Sequence, residues 1–89
     1  GSLAEQVDAL APGQTISLSH RFEAGGEGTT SASIKAALNS MRGTLGTYLS
    51  RVQSYNGGVD AREYRSESGC FLTDDKTAIV ATVALTRLS

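Results

Sequence analysis

The sequence predicts an α+β domain: a short N-terminal helix, then β-α-β-β, with one long helix packed on a three-stranded antiparallel sheet of order 1-3-2. Three observations lead there. Over residues 30–55, Ile34, Leu38, Met41, Leu45, Tyr48, Leu49 and Val52 gather on one side of a helix, with Ala37 and Tyr55 at its margin, an apolar arc wide enough to cover a sheet. Residues 15–22 alternate between apolar and polar, the period of a half-buried strand. Residues 78–85 are the most apolar run of the chain and are rich in Val and Ile, as befits a strand in the middle of a sheet.

The elements follow in order. Leu3, Val7 and Leu10 recur at helical spacing, with Ser2 as a cap and Glu5 near the positive end of the helix dipole. A helix of two turns is marginal alone, so its apolar side must dock on the main body. It stops at Ala11-Pro12-Gly13, because Pro disfavours the helical region for the preceding residue and Gly supplies a turn conformation. Gly1 and Ser2 read as the remnant of an expression tag, leaving residues 3–89 as one domain.

In the first strand Ile16, Leu18, His20 and Phe22 point one way, and Thr15, Ser17, Ser19 and Arg21 the other. His20 reads as a histidine at the core margin with one nitrogen satisfied; no acidic residue at a useful spacing argues for a ligand or base. The segment Ala24-Gly25-Gly26-Glu27-Gly28-Thr29-Thr30 leads straight into a helix, where free N–H groups bind anions. It does not match a phosphate loop, which needs Lys then Ser or Thr after its last glycine, and Glu27 would repel phosphate. It reads as a connector whose Thr30 or Ser31 caps the long helix.

Asn56-Gly57-Gly58 supplies the helix stop. Residues 59–72 read as an irregular second strand. Its centre, Ala61-Arg62-Glu63-Tyr64-Arg65, is charged on both parities, as on an edge strand. Gly69 marks a bulge or bend, and Cys70, between apolar neighbours, reads as a buried small hydrophobe. The turn residues Thr73-Asp74-Asp75-Lys76-Thr77 join a hairpin, and the adjacent Asp74 and Asp75 read as solvated turn charges rather than an acid–base dyad. The long helix reverses direction between the first two strands, so these run parallel to each other and the third, antiparallel to both, fits between them. The expected core is Ile16, Leu18, Leu38, Met41, Leu45, Val52, Ile79, Val83 and Leu85.

Composition narrows function. One cysteine and one histidine leave no disulfide framework and no zinc cluster, pointing to a reducing compartment, the cytoplasm, with no cofactor. No apolar run approaches the roughly 18 residues of a membrane span. Catalysis is the least supported class, because nucleophile, base and orienting group are hard to assemble from so few reactive side chains. A net charge of −1 argues against a general polyanion binder. A nucleic-acid module would have to use Arg21, Lys35, Arg42, Arg62, Arg65 and Arg87, with Tyr64 as its stacking platform on the open sheet face.

The first reading is a protein-binding module, a homodimer or a regulatory or inhibitory partner of a larger protein. Its surface would be the outer helix stripe of Asn39, Ser40, Gly43, Gly46, Thr47, Ser50 and Ser54. Two glycines inside a helix each cost about 1 kcal/mol relative to Ala, and a solvated face normally carries Lys and Glu instead. Small residues there let another backbone approach closely. Strand edges offer a second surface.

The Leu10-Ala11-Pro12-Gly13 turn before the first strand, together with the Thr86-Arg87-Leu88 ending, resembles small orphan proteins of bacteriophages. The resemblance implies binding of host or phage factors and carries over no catalytic residue. This chain departs from that pattern in a longer glycine loop and a longer hairpin.

Overall fold

The computed structural model describes residues 3–55 and 63–89 and, for Ala4 and residues 50–55, the backbone alone. Five elements follow in order: α1 (Leu3–Asp8), β1 (Thr15–Glu23), α2 (Ser31–Tyr55), β2 (Tyr64–Leu72) and β3 (Ala78–Arg87). The sheet has the order β1-β3-β2, antiparallel at both junctions, as the pattern predicts.

Local chemistry sets the boundaries. Pro12 and Gly13 occupy the centre of a turn closed by Gln14 N–H donating to the Ala11 carbonyl at 2.9 Å, with Gly13 at φ 87°; a positive φ at the third turn position is the role only glycine takes without strain. Thr30 caps α2: its Oγ1 accepts the Ser33 N–H at 3.1 Å, while Ser33 Oγ accepts the Thr30 N–H at 3.0 Å. This is the reciprocal capping box with Ser in place of Glu. Ser33 Oγ also donates to the Gly28 carbonyl at 2.5 Å, tying the glycine segment to the helix start as a structured connector. The stop at residues 56–58 and strand residues 59–62 lie outside the described residues.

The two ladders run without interruption, from Thr15 opposite Thr86 to Glu23 opposite Ala78, and from Tyr64 opposite Arg87 to Leu72 opposite Ile79. The bulge expected at Gly69 is absent, since Gly69 pairs in register with Thr82. An open face of short side chains lets a glycine stay in the pleat without bending it.

Alternation gives the sheet two faces. Ile16 and Leu18, Val83 and Leu85, and Tyr64 turn toward the helices and pack around a buried cluster of Val7, Leu45, Val83 and Leu85. Leu38, Met41, Tyr48 and Leu49 approach from α2, and Leu3 from α1. Val7 is fully buried and so contributes about 1.5 to 3 kcal/mol by leaving water. The expected core omitted it, because a two-turn helix predicts docking without saying how deep its side chains reach. Ile79 is half-buried and outside the cluster, and the Val52 side chain is not among those described.

Among the described residues α2 lies over β3, touches β1 less, and hardly meets β2. That offset corrects two expectations. Cys70 is exposed rather than buried, because it faces the helix side of a strand that the helix does not cover. His20 is exposed as well, its ring 4.6 Å from that of Phe22.

Candidate functional site

The free edge of β2 is built by simple alternation. Leu88 N–H donates to the Glu63 carbonyl at 2.7 Å and Thr73 N–H to the Ala78 carbonyl at 2.9 Å, at the two ends of the β2–β3 ladder and in its register. Antiparallel pairs alternate between hydrogen-bonded and non-hydrogen-bonded. Odd-numbered residues of β2 therefore turn their main-chain groups toward β3. Tyr64, Ser66, Ser68, Cys70 and Leu72 turn theirs outward, to the edge.

All of β2 except the half-buried Tyr64 is exposed. Phe71 and Leu72, at its end, are 54% and 51% exposed on opposite faces. The strand has neither proline nor bulge, and its one charged pair is internal, Arg65 Nε to Glu67 Oε1 at 2.7 Å. Above the middle of the strand, Arg42 donates from Nε to Ser68 Oγ at 2.9 Å and from Nη1 to Asn39 Oδ1 at 2.8 Å.

The opposite edge is of another kind. By the same alternation, with Arg87 N–H donating to the Gln14 carbonyl and Ala24 N–H to the Thr77 carbonyl, β1 turns Thr15, Ser17, Ser19, Arg21 and Glu23 outward. The Glu23 carbonyl is already taken, by Gly26 N–H at 3.0 Å and Thr29 Oγ1 at 2.5 Å. The open sheet face between β1 and β3 is a surface of hydroxyls: Thr15 and Thr86 share a hydrogen bond of 2.8 Å, and Ser19 Oγ donates to Thr82 Oγ1 at 3.2 Å.

On the outer side of α2, Asn39, Ser40, Gly43, Gly46 and Thr47 are exposed, and a Cβ built at Gly43 or Gly46 would meet nothing within 4 Å. Thr44 and Thr47 turn their hydroxyls back onto the Ser40 and Gly43 carbonyls at 3.0 and 2.9 Å, which lowers the relief of the helix further. The side chains of Ser50 and Ser54 are outside the described set.

The described basic residues do not come together. Arg87 is structural: its Nη1 donates to the Leu10 carbonyl at 2.6 Å, closing the end of α1, and its own carbonyl accepts Gly13 N–H at 2.7 Å. Arg21 reaches Thr77 Oγ1 at 3.4 Å, in the sheet row of Val80 and Phe71, whereas Arg65 stands in the row of Thr86 and Thr15, about 20 Å along the strands. Lys35 and Arg42 are on the helix, and Arg62 lies outside the described residues. Tyr64 is not on the open face at all, since its ring packs into the core beneath the helices.

The acidic turn is a structural device. Asp75 Oδ1 accepts the Thr73 and Thr77 hydroxyls at 2.7 Å each and the Thr77 N–H at 3.1 Å. These hydrogen bonds lower its pKa from the usual 3.8 to about 2. Among the described residues no three His, Cys, Asp or Glu side chains are grouped as metal ligands, and no helix is long and apolar enough to cross a membrane.

Sequence reasoning passed over the exposed Phe71 and Leu72. The signal was present in Cys70-Phe71-Leu72, because consecutive residues of a strand cannot all face one core; one of the two faces had to stay outside. No curated protein and no solved structure matches the chain. Residues 1–89 match the model of DUF7609, described as a domain of unknown function, and the chain belongs to that family.

Proposed function

We propose that the protein is a small non-enzymatic binding module, a regulatory or inhibitory factor of the cytoplasm, that captures another protein chain by adding a strand to the β2 edge. The observation that carries this reading is an edge of five outward-facing residues, exposed along almost its whole length, with Phe71 and Leu72 uncovered at its end. Natural proteins usually blunt such an edge with proline, a bulge or inward-pointing charge. Here Arg65 and Glu67 neutralise each other, and among the described residues nothing else guards it. Strand addition supplies main-chain hydrogen bonds for affinity, and alternating side chains for specificity. The exposed Cys70 thiol fits a reducing compartment.

Affinity capture from extracts of the source cell tests the reading with wild type, Ser68→Pro and Gly43→Leu. The Ser68 N–H points away from β3, so proline there blocks an added strand while leaving the ladder intact. Loss of the captured protein with Ser68→Pro alone is the expected result. Loss with Gly43→Leu alone would move the contact to the outer stripe of α2. Absence of any bound chain, together with a monomeric wild type, would overturn the proposal.

A further inference from the structure

Resting on that reading of the β2 edge, we infer that its occupant is a second copy of this chain, bound antiparallel about a twofold axis through Ser68 to make a continuous six-stranded sheet. The backbone of the edge limits the registers open to it. Tyr64, Ser66, Ser68, Cys70 and Leu72 turn their main-chain groups outward, so two copies must set outward residue against outward residue. That restricts the twofold axis to a residue position.

Self-complementarity then selects among these positions. An axis at Glu67 would place Glu67 on the partner's Glu67, like charges face to face. An axis at Ser66 or Cys70 leaves part of the edge unpaired, and at Ser66 it also leaves Phe71 and Leu72 in water. Ser68 is the midpoint of Tyr64–Leu72, and only an axis there engages all five outward residues of both copies.

In this register Tyr64 lies beside the partner's Leu72, Ser66 beside the partner's Cys70, Arg65 beside the partner's Phe71 and Glu67 beside the partner's Gly69. Two of the large apolar side chains that the monomer leaves exposed, Phe71 and Leu72, thereby gain neighbours: Phe71 meets a guanidinium, and Leu72 lies against the part of the half-buried Tyr64 that the core leaves open. No acidic or basic residue on the strand meets one of its own sign. Arg42 of each copy stands over Ser68 near the axis, so screening of that one like-charged pair by salt favours the dimer. The β1 edge lacks these features: its outward residues are polar, none of its large apolar side chains is exposed, and its last carbonyl is occupied.

Two measurements decide the matter. Sedimentation over a concentration series reads assembly, with wild type expected to dimerise and Ser68→Pro to weaken the dimer at least tenfold. Circular dichroism of Ser68→Pro guards against an unfolded variant. Register is read by mild oxidation in a Cys70→Ser background. Ser68→Cys places two thiols at a directly opposite pair, about 5.5 Å between Cα atoms and within reach of a disulfide. Ser66→Cys places them about 13 Å apart along the strand. A covalent dimer with Ser68→Cys and at least tenfold less with Ser66→Cys is expected. A monomeric wild type throughout the series, or equal crosslinking at both positions, overturns the inference. If such a monomer still captures a different protein in a Ser68-dependent manner, self-pairing alone has failed and the edge reading stands.

Discussion

Tyr64 brings its hydroxyl into the core, where the oxygen is buried and has no hydrogen-bond partner among the described residues. An unmade buried hydrogen bond costs about 1 to 3 kcal/mol, so Tyr64→Phe keeps the ring and removes the penalty. Chemical denaturation is expected to show it as stable as wild type or more stable, by up to about 1 kcal/mol. In the hairpin, Lys76 is the non-glycine residue with positive φ, 62°, a conformation that disfavours side chains. Lys76→Gly is expected to raise stability by about 0.5 to 1 kcal/mol, read from the same kind of curve. Asp75 gives a pH signature. Its folded pKa of about 2 lies below the usual 3.8 because the Thr73 and Thr77 hydroxyls and the Thr77 N–H hold the carboxylate. Its stabilisation is therefore complete above the unfolded value and disappears as pH falls through the folded one. Thermal unfolding of Asp75→Asn should show a lower midpoint than wild type at neutral pH, the gap closing between about pH 4 and pH 2. At this scale the residues legible in the chain were those acting on their own backbone, Thr30 as cap and Pro12-Gly13 as turn. Cys70, His20 and Tyr64 were misjudged, because their surroundings are set by elements distant in sequence.

At the scale of the element, α2 is the clearest case of periodicity read correctly. Leu45, at the centre of its apolar arc, is 2% exposed, and Leu45→Ala is expected to cost about 2 to 5 kcal/mol by denaturation. Its opposite face gives a contrasting test. Since nothing stands within 4 Å of a Cβ at Gly43, Gly43→Leu should leave the monomer equally stable or stabilise it, by up to about 1 kcal/mol of helix propensity. A loss of stability by thermal unfolding would show that the face is covered. The β2 strand shows the limit of the same method. Its mixed charges marked it as an edge, but alternation could not say whether its helix-side residues lie under α2. The bulge expected at Gly69 failed for a related reason: a glycine permits a break in the ladder without requiring one.

The whole molecule is elongated, 47 × 22 × 22 Å with a radius of gyration of 15.0 Å, against about 12 Å for a compact domain of this length. A long thin body buries few side chains completely, which is why the core cluster is small and why β2 stays in water. Its described basic residues are spread over both sheet faces and the helix. Nucleic-acid binding is therefore expected to be weak in moderate salt, checked by titration with short single-stranded and duplex DNA; sub-micromolar affinity with a steep salt slope, reduced by replacing Arg62 and Arg65, would contradict this. The order of the elements, the antiparallel 1-3-2 sheet and the faces of β1 and α2 were all carried by spacing along the chain. Each depends on the 2-residue or 3.6-residue period of the backbone and on which side chains prefer water. The lateral position of α2 was decided only in three dimensions. Periodicity turns a helix face toward a sheet but does not choose the strands beneath it. Here that choice came with Val7 of α1 joining Leu45, Val83 and Leu85 in one cluster, which places the core under β3 and leaves the β2 edge outside.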